Sequence, residues 1–297
     1  ILPSRACACI ISFKSKEAFE IFPVGAKVVA ARDLYGGSFR WFNDKESEGR
    51  FTVEYANTES DLLAAISDDT DIVYIETPTN PLMVEFDIAT VAKAAHDKGA
   101  KLIVDNTFYS PIYQNPIPLG ADIVVHSATK YLAGHNDVLA GIVVTNDQAI
   151  YDKLFYNLNT TGSTLSPFDS YLLMRGLKTL KLRMEKATEN ARELVTFLKT
   201  LPTVKEVLYT GKGGMISFKV ADESKIPTII NRLEVITFAE SLGGVESLIT
   251  YPRTQTHADI LEDVRLSYGL TNDLLRLSIG IEDVDDLKQD LKAALGA

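Results

Sequence analysis

Residues 121–135 read ADIVVHSATKYLAGH, and the way the apolar run in this stretch stops decides how the chain is expected to fold. Ile123–Val125 is short and continuous, and it gives way at once to His126, Ser127, Thr129 and Lys130. A strand that is apolar on both faces is covered on both faces, which is the habit of parallel strands packed between helices. In open parallel sheets ligands bind at the carboxyl ends of the strands. A strand ending in two hydroxyls and an amine therefore delivers binding groups to that edge.

The neighbouring segments repeat the pattern. Strands are predicted at Lys27–Ala31, Phe51–Tyr55, Asp71–Glu76, Lys101–Asp105 and Gly141–Thr145, with helices at Asp61–Ser67 and Ile88–Lys98 between them. Asp87 suits the N-cap of the second helix and Gly99 its C′ position. The polar ends recur: Asp71–Glu76 runs into Thr77, Pro78, Thr79, Asn80 and Pro81, and Lys101–Asp105 runs into Asn106 and Thr107. Upstream, a helix is predicted over Ser12–Phe22, and Gly36 and Gly37 after Tyr35 are read as a tight turn holding an aromatic. Beyond Thr145 the apolar spacing becomes helical from Leu173 to Leu198, with an interruption expected near Gly176 and an end at Pro202. Strands at Gly213–Val220, Val235–Phe238 and Leu275–Ser278, with helices at Ile226–Leu233 and Asp286–Leu295, follow. The expected fold is α/β: a mostly parallel sheet covered by helices over residues 1–184, then a smaller C-terminal α+β domain over 185–297.

Composition narrows the partners. Thirty Lys+Arg against forty Asp+Glu give a formal charge of −10, the wrong sign for a nucleic-acid partner. No apolar stretch approaches the ~20 residues of a membrane span, and no secretory signal is recognised, so no membrane partner and a cytoplasmic location are expected. Cys7 and Cys9 are read as buried thiols, and His96, His126, His135 and His257 lack metal-ligand spacing, so no metal site is expected.

The strand ends carry the chemistry. A lysine desolvated at the end of a buried strand has a lowered pKa and a free amine for imine formation, and Lys130 is the candidate. Asp105 is its natural partner, because a buried carboxylate needs a cation or donors to stay ionised. Pyridoxal phosphate would satisfy both, with Lys130 at its aldehyde, Asp105 at its pyridinium nitrogen, and Ser127 and Thr129 at its phosphate. Tyr35 could lie flat on the ring. Arg276, inside the apolar LLRLSIG, suits an amino-acid carboxylate or an internal ion pair.

The motifs DLYGG (33–37), ETPTNP (76–81), VDNTF (104–108), SATKY (127–131), GHNDVLAG (134–141), SPFDSYLLMRGLKTL (166–180), AESLGGVESL (239–248) and LRLSIGIED (275–283) together resemble the Cys/Met-metabolism family of pyridoxal-phosphate enzymes. The resemblance implies an aspartate-aminotransferase-like fold (fold type I of these enzymes) and a homotetramer built of catalytic dimers. It implies Lys130 and Tyr35 as catalytic residues and Lys130, Asp105, Ser127, Thr129, Tyr35 and Asn80 around the cofactor. Arg276, Ser241, Glu240 and Asn80 would then meet a small sulfur amino acid. Glu240 resembles the γ-lyase and γ-synthase pattern, where a carboxylate can meet the distal ammonium of cystathionine, so α,γ-elimination of cystathionine is the expected reaction. β-Elimination of cystathionine, methionine γ-elimination and cystathionine γ-synthesis are the alternatives within the family.

The resemblance thins near the start. The family's N-terminal segment, with its Tyr and Arg for the neighbouring subunit's phosphate, and its glycine turn before Gly25 have no counterpart, and Tyr209–Gly214 is shorter than the family's connection. A chain complete as written is expected to bind cofactor weakly, and a truncated, inactive member is the reading this leaves open. A nucleotide-binding sheet without covalent chemistry is the other, disfavoured because neither GxGxxG nor a P-loop is found.

Overall fold

A computed structural model describes residues 7–11 and 18–296. In chain order the first part contains β1 (Cys7–Ile11), β2 (Ala26–Ala31), α1 (Gly36–Ser47), β3 (Phe51–Ala56), α2 (Glu59–Ala65), β4 (Ile72–Glu76), α3 (Ile88–Asp97), β5 (Lys101–Asp105), α4 (Ser110–Tyr113), β6 (Ile123–Ser127), β7 (Gly141–Thr145) and α5 (Gln148–Thr161). Then come α6 (Pro167–Leu198), β8 (Val204–Leu208), β9 (Met215–Val220), α7 (Ile226–Arg232), β10 (Thr237–Phe238), β11 (Leu248–Thr250), α8 (Glu262–Ser267), β12 (Leu274–Ser278) and α9 (Val284–Leu295).

The strands form two sheets, of seven strands in the order β1-β7-β6-β5-β4-β2-β3 and of five in the order β10-β11-β12-β9-β8. In the larger sheet β3, β2, β4, β5 and β6 are parallel. The order reverses between β2 and β4, because the chain turns outward to β3 before returning to build β4, β5 and β6. Crevices open at such switch points, so Tyr35 after β2 and Glu76 at the end of β4 flank the place where a ligand is received. β4 is buried along its whole length, as its IVYIE run requires.

Four expectations need correcting. β7 pairs antiparallel to β6; a continuous apolar run reports cover on both faces, not strand direction. Gly36 and Gly37 open α1 rather than making a tight turn, with Tyr35 as N-cap; the following SFRWFNDKES is helical enough to recruit them. Of the helix predicted over Ser12–Phe22, residues 12–17 lie outside the described residues and 18–22 form turns, from which Phe19 packs edge-on against Phe42. Finally, α6 runs unbroken through Gly176 and ends at Leu198, before Pro202. Gly176 is a contact point: a Cβ there would lie 2.2 Å from the Ala133 carbonyl oxygen.

Other local readings hold. Asp87 accepts the Ala89 and Thr90 amide hydrogens at the start of α3, and Gly99 follows that helix at φ +78°. α6 joins the two sheets: Leu173, Leu180 and Met184 pack with residues around Lys130, whereas Ala191, Leu194 and Leu198 enter the core of the smaller sheet.

Candidate active site

The polar strand ends converge as their positions in the parallel sheet require. β5 ends at Asp105, whose carboxylate accepts the Thr107 N–H at 2.9 Å and the Thr107 hydroxyl at 2.5 Å. The Tyr74 hydroxyl donates from 3.5 Å. Next to it β6 ends at Ser127, whose amide donates to Thr107 Oγ1 at 2.8 Å. Thr107 thus ties the two strand ends together. The Ser127 hydroxyl is buried and finds no partner among the described residues, although buried hydroxyls are nearly always satisfied.

Thr129 is differently placed. Its hydroxyl accepts the Ala140 N–H at 3.0 Å and lies 3.3 Å from the Ala140 carbonyl oxygen, pinning the 134–140 loop against the strand end. Lys130, half-buried, donates from Nζ to Ser241 Oγ at 3.2 Å. Arg183, which sequence reasoning missed, fixes the turn that follows: its guanidinium donates to the carbonyl oxygens of Tyr131 at 2.7 Å and Gly176 at 2.8 Å.

Arg276 stands across the crevice on β12, 1% exposed. Nη1 donates to Asn80 Oδ1 at 2.8 Å, and Nη2 to Thr250 Oγ1 at 2.9 Å and the Glu240 carbonyl oxygen at 3.1 Å. Nε has no partner. Burial lowers its pKa to about 10, against the opposing pull of the Glu76 charge, so the guanidinium stays charged at neutral pH. A buried, charged fork with an unspent N–H is arranged to take an anion. Glu240 is exposed, and its main chain is held by Arg276 beside the Ser241 hydroxyl that meets Lys130.

Tyr35 is half-buried, with its amide donating to Glu76 Oε2 at 2.9 Å. The structure therefore assembles Asp105, Ser127 and Thr129 along adjoining strand ends, Lys130 with Ser241, and Arg276 with Asn80 and the Glu240–Ser241 dipeptide; Tyr35 sits at the switch point. His126 turns out to be buried beside the Asn106 backbone, with a pKa driven down to about 4 by burial. Glu76, Asp33 and His257 were missed. Glu76 carried a usable signal, since a carboxylate closes the apolar IVYIE just as Asp105 closes KLIVD. His257, in a loop without periodicity, carried none.

A parallel sheet that presents a lysine, a strand-end carboxylate and an unsatisfied buried hydroxyl at its carboxyl edge, opposite a charged guanidinium, has the donor set of a pyridoxal-phosphate enzyme. The residues fit that cofactor, because the orphaned Ser127 hydroxyl and Arg276 Nε are spare donors for anionic groups. The chain belongs to the family of Cys/Met metabolism PLP-dependent enzymes, whose model matches residues 5–296.

It is 50% identical over 277 residues to the cystathionine gamma-synthase/O-acetylhomoserine (thiol)-lyase of Bacillus subtilis (strain 168), covering 93% of this chain and 74% of that protein. To the cystathionine gamma-lyase of the same organism it is 43% identical over 293 residues, covering 93% and 77%. The crystal structure of cystathionine gamma-lyase from Lactobacillus plantarum complexed with L-serine superposes with a TM-score of 0.94 at 39% identity, covering 97% of this chain and 81% of that one. The match from residue 5 extends the family relationship into the N-terminal stretch where no motif was recognised. The cofactor is pyridoxal phosphate, as the family requires.

Proposed function

We propose that this enzyme acts on the γ-carbon of a sulfur amino acid, cleaving cystathionine by α,γ-elimination to cysteine, 2-oxobutyrate and ammonia. One observation carries the reading: Arg276 Nη2 holds the Glu240 carbonyl while the adjoining Ser241 hydroxyl meets Lys130. An anion binder, an amine and an exposed carboxylate are thereby fixed to one dipeptide. An amino acid whose carboxylate lies at Arg276 presents its reacting carbons to Lys130 and its distal ammonium to Glu240.

In this reading Lys130 would hold the cofactor's aldehyde carbon, Asp105 its ring nitrogen, Ser127 and Thr129 its phosphate, Asn80 its phenolic oxygen and Tyr35 its ring face. Bound pyridoxal phosphate supplies an electron sink for negative charge developing at the substrate's Cα. Arg276 and Ser241 orient the substrate carboxylate, and Asn80, itself held by Arg276, sets its angle. Freed by the incoming substrate amine, Lys130 Nζ would take the Cα and then the Cβ proton, with the Tyr35 hydroxyl assisting, and would return a proton to the sulfur that leaves Cγ as cysteine. Asp105, fixed by Thr107, would hold the ring nitrogen. The active assembly is proposed as a homotetramer of catalytic dimers.

A second reading, γ-replacement, is favoured by the half-identical Bacillus relative, whose name joins a γ-synthase to a thiol-lyase. The same residues would serve it, with a thiol adding at Cγ in place of the group that left, so that an intact amino acid is released instead of a keto acid and ammonia. Incubation with cystathionine and identification of the keto acid tests the proposal. 2-Oxobutyrate is expected, and pyruvate as the main product overturns it; faster formation of cystathionine from cysteine and O-acetylhomoserine moves the assignment to replacement. Glu240→Val is expected to raise the KM for cystathionine about tenfold, the worth of one charge-assisted contact, and to leave that for methionine nearly unchanged. Equal losses would remove Glu240 from the distal site.

A further inference from the structure

Two buried side chains, far apart in sequence, grip a single peptide unit. The Leu34–Tyr35 peptide joins β2 to α1, and both of its polar atoms end on side chains. Glu76 Oε2 accepts the Tyr35 N–H at 2.9 Å, and His257 Nε2 lies 3.1 Å from the Leu34 carbonyl oxygen. Glu76 is 4% and His257 0% exposed.

A carbonyl only accepts, so Nε2 carries the ring proton; Nδ1, 2.7 Å from Thr256 Oγ1, accepts from that hydroxyl. Burial lowers the imidazole pKa to about 4, which keeps the ring in this neutral, single-donor form. His257 belongs to the connection from β11 to β12, the strand of Arg276, and the Asn80 backbone lies beside the same ring. The same connection approaches α1 so closely that a Cβ on Gly36 would fall 1.8 Å from the Thr256 carbonyl oxygen.

We propose that His257 and Glu76 are positioning residues that lock the Leu34–Tyr35 peptide and so aim the Tyr35 ring, with His257 coupling that ring to the strand carrying Arg276. The inference rests on the reading of Tyr35 as a catalytic residue. An N–H and a C=O at opposite edges of one peptide, each fixed by a different element, leave that plane no free rotation, and the Tyr35 side chain inherits the constraint. Glu76 acts electrostatically on Arg276, whereas His257 is held neutral beside it, so His257 gives the cleaner test.

The holoenzyme is compared with His257→Leu, His257→Gln, Tyr35→Phe and the double variant Tyr35→Phe/His257→Leu. His257→Leu is expected to lower kcat about 10- to 100-fold with KM within about threefold of the parent, the signature of a misaimed group rather than lost binding. The visible circular dichroism of bound pyridoxal phosphate should change with it. Gln places an amide N–H near the Nε2 position, so His257→Gln should recover most of the kcat and the original dichroism. In the Tyr35→Phe background the Leu substitution should cost less than about threefold more.

Gln no better than Leu, or losses that multiply in the double variant, would overturn the proposal. If Tyr35→Phe leaves turnover intact, the catalytic reading of Tyr35 fails by itself. The lock is then judged on the dichroism, which must change in Leu and return in Gln. Should the Leu variant fail to fold, His257→Asn replaces it, because its amide reaches only to the Nδ1 position.

Discussion

Lys130 and Asp105 were legible as candidates in the sequence because each breaks a pattern: a charge closing an apolar strand has an energetic cost that a ligand can offset. Arg276 was legible for the same reason. The side chains that hold these groups were not, since Thr107, Arg183 and His257 act through backbone carbonyls and strand ends brought together only by folding. For Lys130→Ala we expect loss of the visible absorption band of covalently held pyridoxal phosphate; an undiminished band would remove Lys130 from the site. Asp33, next to the Tyr35 segment, offers a second prediction. Its Oδ2 accepts the Leu82 N–H at 3.2 Å, and burial raises the carboxyl from 3.8 to about 7 against the opposing effect of the Thr79 side chain and the Leu82 N–H. Between those values the folded chain holds a proton that the unfolded chain has released, so this group makes stability fall as pH rises across that window. Asp33→Asn should therefore gain in melting temperature over the parent when both are moved from pH 5 to pH 8. A pH-independent difference would mean that Asp33 titrates normally.

The elements that were readable are those whose own residues settle them. α3 is marked by Asp87 and Gly99, and Asp87→Ala should cost about 1 kcal/mol of stability in denaturant titration. β7 shows where this ends: its composition reports burial, while its antiparallel direction is set by the chain's route. α1 and α6 were misjudged through glycine. In isolation Gly36 and Gly176 argue for a turn and a break, but both are spaces that another segment fills, the Thr256 carbonyl in one case and the Ala133 carbonyl in the other. Gly176→Ala decides between two effects. Helix propensity favours alanine by about 1 kcal/mol, whereas a Cβ 2.2 Å from a carbonyl oxygen forces α6 off the Lys130 turn at about 1–3 kcal/mol. Destabilisation is expected in thermal unfolding, together with weaker cofactor retention; a stabilised variant would show that the contact yields freely.

At the scale of the molecule, the two-sheet plan was readable from the change of periodicity after Thr145, whereas the tetramer is proposed from the family resemblance alone, because a surface that meets a second copy looks like any apolar face. α6 exposes Phe168, Tyr171, Met174 and Leu182, spaced three or four residues apart or in multiples of that, so that they form one stripe along the helix. The proposed tetramer gives this stripe a partner. Tyr171→Asp with Met174→Asp should shift the light-scattering mass from four chains to fewer, and a parent already monomeric at micromolar concentration would sink the assembly. One last feature follows from the aromatic packing around Phe19. Trp41, the single tryptophan of the chain, lies 5.3 Å from Phe19 between ring centroids, on α1 about 9 Å along the helix axis from Tyr35. Its fluorescence is a built-in gauge that senses the larger sheet and the Tyr35 helix and is blind to the smaller sheet, so emission and far-ultraviolet melting curves recorded together would time the loss of one layer against the other without any label.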